Sequence, residues 1–466
     1  MSTAYRYKLD PIETPGYCHV GNKLTQESAD VASLILQSNR TAYHVFTTDF
    51  DKMGAYLHNH IVHHVTALWA LGADEETMIF HKKNNENYQL LPRKFPEESI
   101  IEEMKTEKGF RKYRGSQDHF LDYVTFFERE IDELGYQEVL QKYVVGGGEI
   151  ADDILARMYH GYVHSLMYLG QGLEFKQLPL VAEALAQAVS HNDMYYNDFL
   201  KYTELQAQYS PEPRLSLLEC LEACREDPVI STCSSVDIHH QVVNGSWKVE
   251  KEMIRDYVCG KAFKEMATVC ARYRVDEDDV ERATAELINT AVYMAAAAQR
   301  PPHQCRYDFF LIHGSNSSIW QTALTQEPSL TPAQKARLIE YTGRVILMLY
   351  AGMGSPALNI DWLLTQQWHE PGTGWDRVIE RVIHHKDDGH MAKLVRVIRH
   401  AEEVSRPYED RPEFPMKSHM FLPAAQAAID SGSDKPMSGV LHFDFVRGSA
   451  FPEAWAKVPR RGEVVA

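Results

Sequence analysis

The stretch His58-Asn59-His60-Ile61-Val62-His63-His64-Val65-Thr66-Ala67-Leu68-Trp69-Ala70-Leu71-Gly72-Ala73 puts four histidines into seven residues and runs straight into an apolar pattern. Ile61, Val65, Leu68 and Leu71 recur at steps of four and three, which is helical phasing. Gly72 stands where such a helix stops. His60 and His64 are one turn apart and share a face. Neutral imidazole is the commonest metal ligand among side chains, so a buried pair at this spacing forms a metal arm. The competing reading is a polar helix start whose histidines cap the first turn. The stretch alone does not separate the two.

The same spacing returns downstream. Ile154 to Gly170 is apolar and helical in pattern, with His160 and His164 again four apart. This segment is too apolar to be a solvated face, so a histidine within it is buried and needs a hydrogen-bond partner or a metal. A core histidine bonded to a carbonyl satisfies the pattern equally well. Asp308-Phe309-Phe310-Leu311-Ile312-His313 ends an apolar run on a histidine. Asp387-Asp388-Gly389-His390 opens a further helix, with Lys393 three residues on. Two aspartates suit the positive end of a helix.

The rest of the chain is helical text with few strand signals. Helices are expected after Thr25, over 118–143, 178–190, 214–225, 248–272, 276–299 and 332–351; Pro332 follows Thr331 as a first-turn proline. Residues 80–120, broken by Pro92 and Pro96, read as a surface wrap. Gly146-Gly147-Gly148 lacks the GK[ST] of a phosphate loop and reads as a turn. Residues 229–245 carry His239 and His240. The expected fold is mainly α: a large helical bundle with a metal site between facing helices. It is expected to be one domain over 1–466, with an irregular, proline-rich tail over 405–466.

Composition excludes several classes. There are 65 acids against 48 bases, a net charge of −17, which is no footprint of a nucleic-acid binder. No apolar run reaches the length of a membrane span. Seven scattered cysteines with no CxxC pair suit reduced thiols and a cytoplasmic setting. A homo-oligomer is compatible with such a chain. No G-x-S-x-G elbow and no convincing dinucleotide fingerprint is present.

Four segments that bring histidine to an apolar face are better explained by one shared site than by four separate coincidences. The expected metal ligands are His60, His64, His164, His313 and His390, with Lys393 as a further candidate. Imidazole suits zinc, copper, iron or nickel. Neutral histidines leave a divalent charge uncompensated. Lys393, if deprotonated in an apolar pocket, can take up carbon dioxide as a carbamate and supply an anionic oxygen. The competing reading is a lysine snorkelling at the helix edge.

These stretches together resemble one family. His58-Asn59-His60 with His63-His64 and Ala70-Leu71-Gly72-Ala73, His164 before Leu169-Gly170 with Gly172, Glu174 and Phe175, Phe309 to His313, and Asp387 to His390 with Lys393 are similar to the questin oxidase family of polyketide pathways. The resemblance spans about residues 50–400. It implies oxidative carbon–carbon cleavage of an anthraquinone or related aromatic polyketide ring in secondary metabolism. Members are described as flavin-free Baeyer–Villiger-type oxidases and as non-haem iron dioxygenases. Ferrous iron and dioxygen are therefore the implied cofactors, with NADPH a conceivable reductant; monooxygenation and dioxygenation both stay open. Oxygen would insert beside the quinone carbonyl and open the ring.

The resemblance favours His164, His313 and His390 as ligands but does not choose within the first arm. There, helical phase favours His64 with His60 beside it, and places His58 and His63 in a supporting or surface position. Lys393 and His63 are the expected catalytic residues. Tyr159, Tyr168, Trp69 and Trp320 could stack on a planar substrate, though a plain core role ranks higher. Two other functions compete: a zinc-dependent hydrolase or lyase, which the histidines alone permit, and a non-enzymatic helical binding protein.

Overall fold

A computed structural model describes residues 2–20, 23–49, 56–192, 195–235, 242–243, 246–247, 252–432 and 445–463. His239 and His240 lie outside them. The described residues are mainly α-helical. Their strand content is limited to very short ladders, one of them the parallel pair Tyr307–Asp308 with Phe445–Val446. The chain divides into two compact units. The first comprises 1–51, 55–197 and 322–334, and the second comprises 52–54, 198–321 and 335–466.

In the first unit, helix Gln26–Ala42 begins on a capping box. Thr25 accepts from the Ser28 backbone, and Ser28 answers from its side chain. Helix Ile61–Ala70 follows, with His60 at its N-cap and Gly72 in the left-handed region just beyond it. All ten of its residues are buried, as expected of a helix that is apolar all round. The stretch read as a surface wrap is mostly exposed or half-buried, and it is helical over much of its length, within Glu75–Glu86, Glu98–Met104 and Glu107–Tyr113. Asp74 and Thr106 cap the first and third through N3. The prolines at 92 and 96 separate these helices rather than abolish them.

Helix His160–Glu174 packs on Leu178–Ser190, which packs in turn on Phe120–Leu134. Gly172 permits the first approach, because a Cβ there would lie 3.0 Å from the Val181 backbone nitrogen. The expectation of one unbroken helix over 154–170 is corrected. Gly161, Tyr162 and Val163 all take left-handed φ and ψ, so His160 and His164 do not share a helical face.

In the second unit, Leu311–Ser318 and His390–Ser405 both pack on Val280–Ala297 and on each other. The alanines at the end of Val280–Ala297 are fully buried, which lets its neighbours come close. Asp387 caps His390–Ser405: its carboxylate accepts from the Gly389 nitrogen at 2.8 Å and the Met391 nitrogen at 2.7 Å. The tail after 405 is not irregular throughout. It forms helix Ser418–Ser431, packed against His390–Ser405. Among the described residues no helix is long and apolar enough to cross a membrane, and all seven cysteines are free thiols.

Candidate functional site

The first unit brings His60 and His164 together, with Nε2 to Nε2 at 2.8 Å and their rings nearly parallel. The left-handed turn makes this possible. It lets His164 Nδ1 donate to the Gly161 carbonyl at 2.7 Å, which fixes the ring and leaves Nε2 as the inward atom. Three consecutive residues, two of them bearing side chains, hold a conformation that costs roughly 1–2 kcal/mol per L-residue. Such outliers persist where surrounding structure over-determines them.

What holds the turn is a second imidazole layer. The His58 ring stacks on His164 at 4.2 Å, and His58 Nε2 lies 3.2 Å from His191 Nε2. Arg157 donates to the His191 carbonyl. Burial pushes the His191 imidazole down to about 3 and the Arg157 charge adds to this, so it is neutral. His58 and His63 are both buried, which leaves the supporting position of the two alternatives, supporting or surface, expected for them. His191 carried no periodic signal, because it sits just past the end of Leu178–Ser190.

His63 also flanks this pair, its ring 5.6 Å from His164. Its Nδ1 lies 2.7 Å from Gln171 Oε1, and Gln171 donates onward to Thr66 Oγ1. The amide oxygen can only accept, so His63 carries its proton on Nδ1. His64 goes elsewhere: its Nδ1 accepts from Asn85 Nδ2 at 3.0 Å, and its ring packs on His81. The structure therefore pairs His60 with His164 and ties His64 Nδ1 to Asn85. Tyr159, Tyr168, Trp69 and Trp320 are all buried core residues.

The second unit brings His313 and His390 together, with Nε2 to Nε2 at 3.4 Å. His313 Nδ1 donates to the Phe309 carbonyl at 2.6 Å. His390 Nδ1 is hydrogen-bonded to the Asp388 carboxylate. In the neutral state both rings therefore carry lone pairs on the facing nitrogens. Two lone pairs at this distance repel unless a proton or a cation stands between them. Donation of the outer nitrogen to an oxygen is also how proteins orient histidines that bind metal.

Lys393 lies one turn along the same helix. Its Nζ is buried with no hydrogen-bond partner among the described residues. Burial pulls its ammonium down to about 8, against the opposing pull of Asp388 and Asp387. The donor set of the described residues thus fits a divalent metal in chemistry: oriented imidazoles, and an amine that can shed its proton.

A cleft of about 630 Å³ in the second unit contains none of these residues. Its arginines are matched by its own acids, as in Arg214 with Asp276 at 3.5 Å and Arg282 with Glu286 at 2.7 Å. Four arginines stand against five acids in its lining, so it offers no excess positive charge to an anionic ligand.

Comparison with known proteins places the chain in a family. The model of the questin oxidase-like family matches residues 57–398, which takes in every histidine just described. The chain belongs to this family and is an oxidoreductase. Among its relatives is the questin oxidase of Aspergillus fumigatus, 32% identical over 465 residues, covering 98% of this chain and 100% of that one. The Baeyer–Villiger oxidase ptaJ of Pestalotiopsis fici is 32% identical and covers 93% and 94%. The oxidoreductase AflY of Aspergillus parasiticus is 33% identical and covers 92% and 84%.

Proposed function

We propose that this protein is an iron-dependent oxygenase that cleaves a carbon–carbon bond of an anthraquinone or related aromatic polyketide ring. The observation that carries the metal is the His313–His390 pair, whose facing nitrogens both bear lone pairs. The family and its Baeyer–Villiger relatives support the oxidative half of the reading.

In this account His60 and His164 are one pair of ligands and His313 and His390 another. His64 is not included, because Asn85 engages it. Lys393 adds the anionic ligand: its neutral amine attacks carbon dioxide, forming a carbamate and releasing one proton. A buried amine poised near 8 reaches its neutral form far more readily than an ordinary lysine. Ferrous iron, when bound, supplies the activation of dioxygen.

The chain's own residues do the remaining work. Gln171 and Thr66 hold the His63 proton on Nδ1, so the other nitrogen is the base that takes a proton from a substrate hydroxyl. Gly161, Phe309 and Asp388 fix the rings of His164, His313 and His390. Turnover of an anthraquinone under labelled dioxygen tests the reaction. Incorporation of label with ring opening is expected, one atom marking monooxygenation and two marking dioxygenation. A ring-opened product whose new oxygen comes only from water would overturn the oxygenase.

A further inference from the structure

We propose that the Asn316 side-chain amide is the hydrogen-bond partner of the small oxygen ligand that completes the metal site beside His313; this rests on the proposed function. Asn316 is fully buried. Neither its Nδ2 nor its Oδ1 has a hydrogen-bond partner among the described residues. Both ends are unpaired, so the observation does not depend on which way the amide is turned. A buried amide left like this bears the cost of leaving water with nothing to offset it.

Neighbouring residues show how such groups are ordinarily met. Asn289, equally buried, donates to Ser405 Oγ and to the Met416 carbonyl at 2.9 Å each, and accepts from the Met416 nitrogen at 3.0 Å. On the helix of Asn316 itself, Ser317 and Ser318 turn their hydroxyls onto the carbonyls of Gly314 and Ser315. Asn316 does neither.

Its place on the helix says what it serves. Asn316 stands one turn beyond His313 on Leu311–Ser318, so the two share a face. From that face His313 Nε2 meets His390. Gly314 marks the other side, because residues two apart on a helix point in nearly opposite directions. A Cβ at Gly314 would lie 3.3–3.5 Å from the side chains of Ile346, Met294 and Leu349. Asn316 is thus on the histidine side of its helix and turned from the apolar side.

An amide offers two donors and an acceptor. Water or an oxygen anion at a metal offers the complementary set. A fixed donor beside it stabilises negative charge without having to reorganise. Asparagine does not titrate, so it does this without moving a proton. Its partner is the ligand on the metal and not the metal.

The test uses the full chain loaded with iron and then oxidised, with azide as the probe, because azide takes an open position on ferric iron and accepts a hydrogen bond. Asn316→Leu, close in size to the native residue, and Asn316→Ala, which cannot overpack, are both expected to hold iron as the wild type does. Each should bind azide about tenfold more weakly. Azide affinity equal to wild type in both variants would overturn the assignment alone. So would loss of iron from them, which would make the amide a metal ligand. If the wild type itself holds no iron, the proposed function fails and this inference with it.

Discussion

His313 and His390 face each other through Nε2 atoms 3.4 Å apart, while each ring gives its Nδ1 to an oxygen of its own backbone or neighbour. The oxygens differ in kind. One is the Phe309 carbonyl, which follows from local helix geometry, and the other is the Asp388 carboxylate, which follows from sequence choice. Asp388→Ala is expected to lower metal affinity about 10–100-fold with the helical content intact. Asp388→Asn, whose amide oxygen still accepts, should regain most of it. Competition against a fluorescent chelator measures both.

The turn at Gly161 should be the least tolerant backbone position near the histidines. A Cβ at residue 161 would lie 2.4 Å from His58 Cε1 and 2.7 Å from His191 Nε2, at a φ of +56°. Gly161→Ala combines left-handed strain with overpacking, for a cost of about 2–5 kcal/mol. Chemical denaturation checks the size. Val163→Gly makes the opposite case: it relieves strain at φ 64° and is expected to cost far less.

In the proposed function Lys393 is the residue that takes up carbon dioxide as a carbamate. Labelled bicarbonate should give a carbamate carbon signal in the wild type and none in Lys393→Ala. Carbamate formation needs the neutral amine, so the signal should grow as pH rises through about 8. Full activity in Lys393→Ala would remove the carbamate from the account.

Glu183 sets a pH term in stability away from the histidine pairs. Burial raises its carboxyl from 4.5 to about 7, against the opposing pull of Arg40 and of the Tyr7 hydroxyl, which donates to it at 2.7 Å. Between those values the folded chain keeps a proton that the unfolded chain has lost. Stability is therefore present in full below about 4.5 and falls as pH rises toward 7, by about 3 kcal/mol in all. Thermal melts across that range should show the fall in wild type and lose this component in Glu183→Gln.

How much of this was legible in the sequence depended on the period of the signal. Ile61–Ala70, Val280–Ala297 and His390–Ser405 follow apolar repeats at three and four, and the sequence shows them. The pairing of His60 rather than His64 with His164 was not legible. Both residues lie on one helical face by spacing, and Asn85, which takes His64, comes from a segment that looked like loop. The His160–His164 spacing misled for a different reason. Gly161 alone suggests tolerance of a turn, but nothing in the local sequence signals that Tyr162 and Val163 join it in the left-handed region. The run to His313 contains Asp308 and Phe309, but what their backbone and side chains hold was not legible, because a parallel ladder of two residues on each strand leaves no alternation to read.

The central claim is that these histidines hold iron. Metal analysis of protein purified without chelators and then reconstituted anaerobically with ferrous iron tests it most directly, with His164→Ala and His313→Ala in parallel. Stoichiometric iron in the wild type and a clear loss in each variant is the predicted result. A wild type that retains no metal after reconstitution, or variants that bind iron as well as it does, would contradict the account.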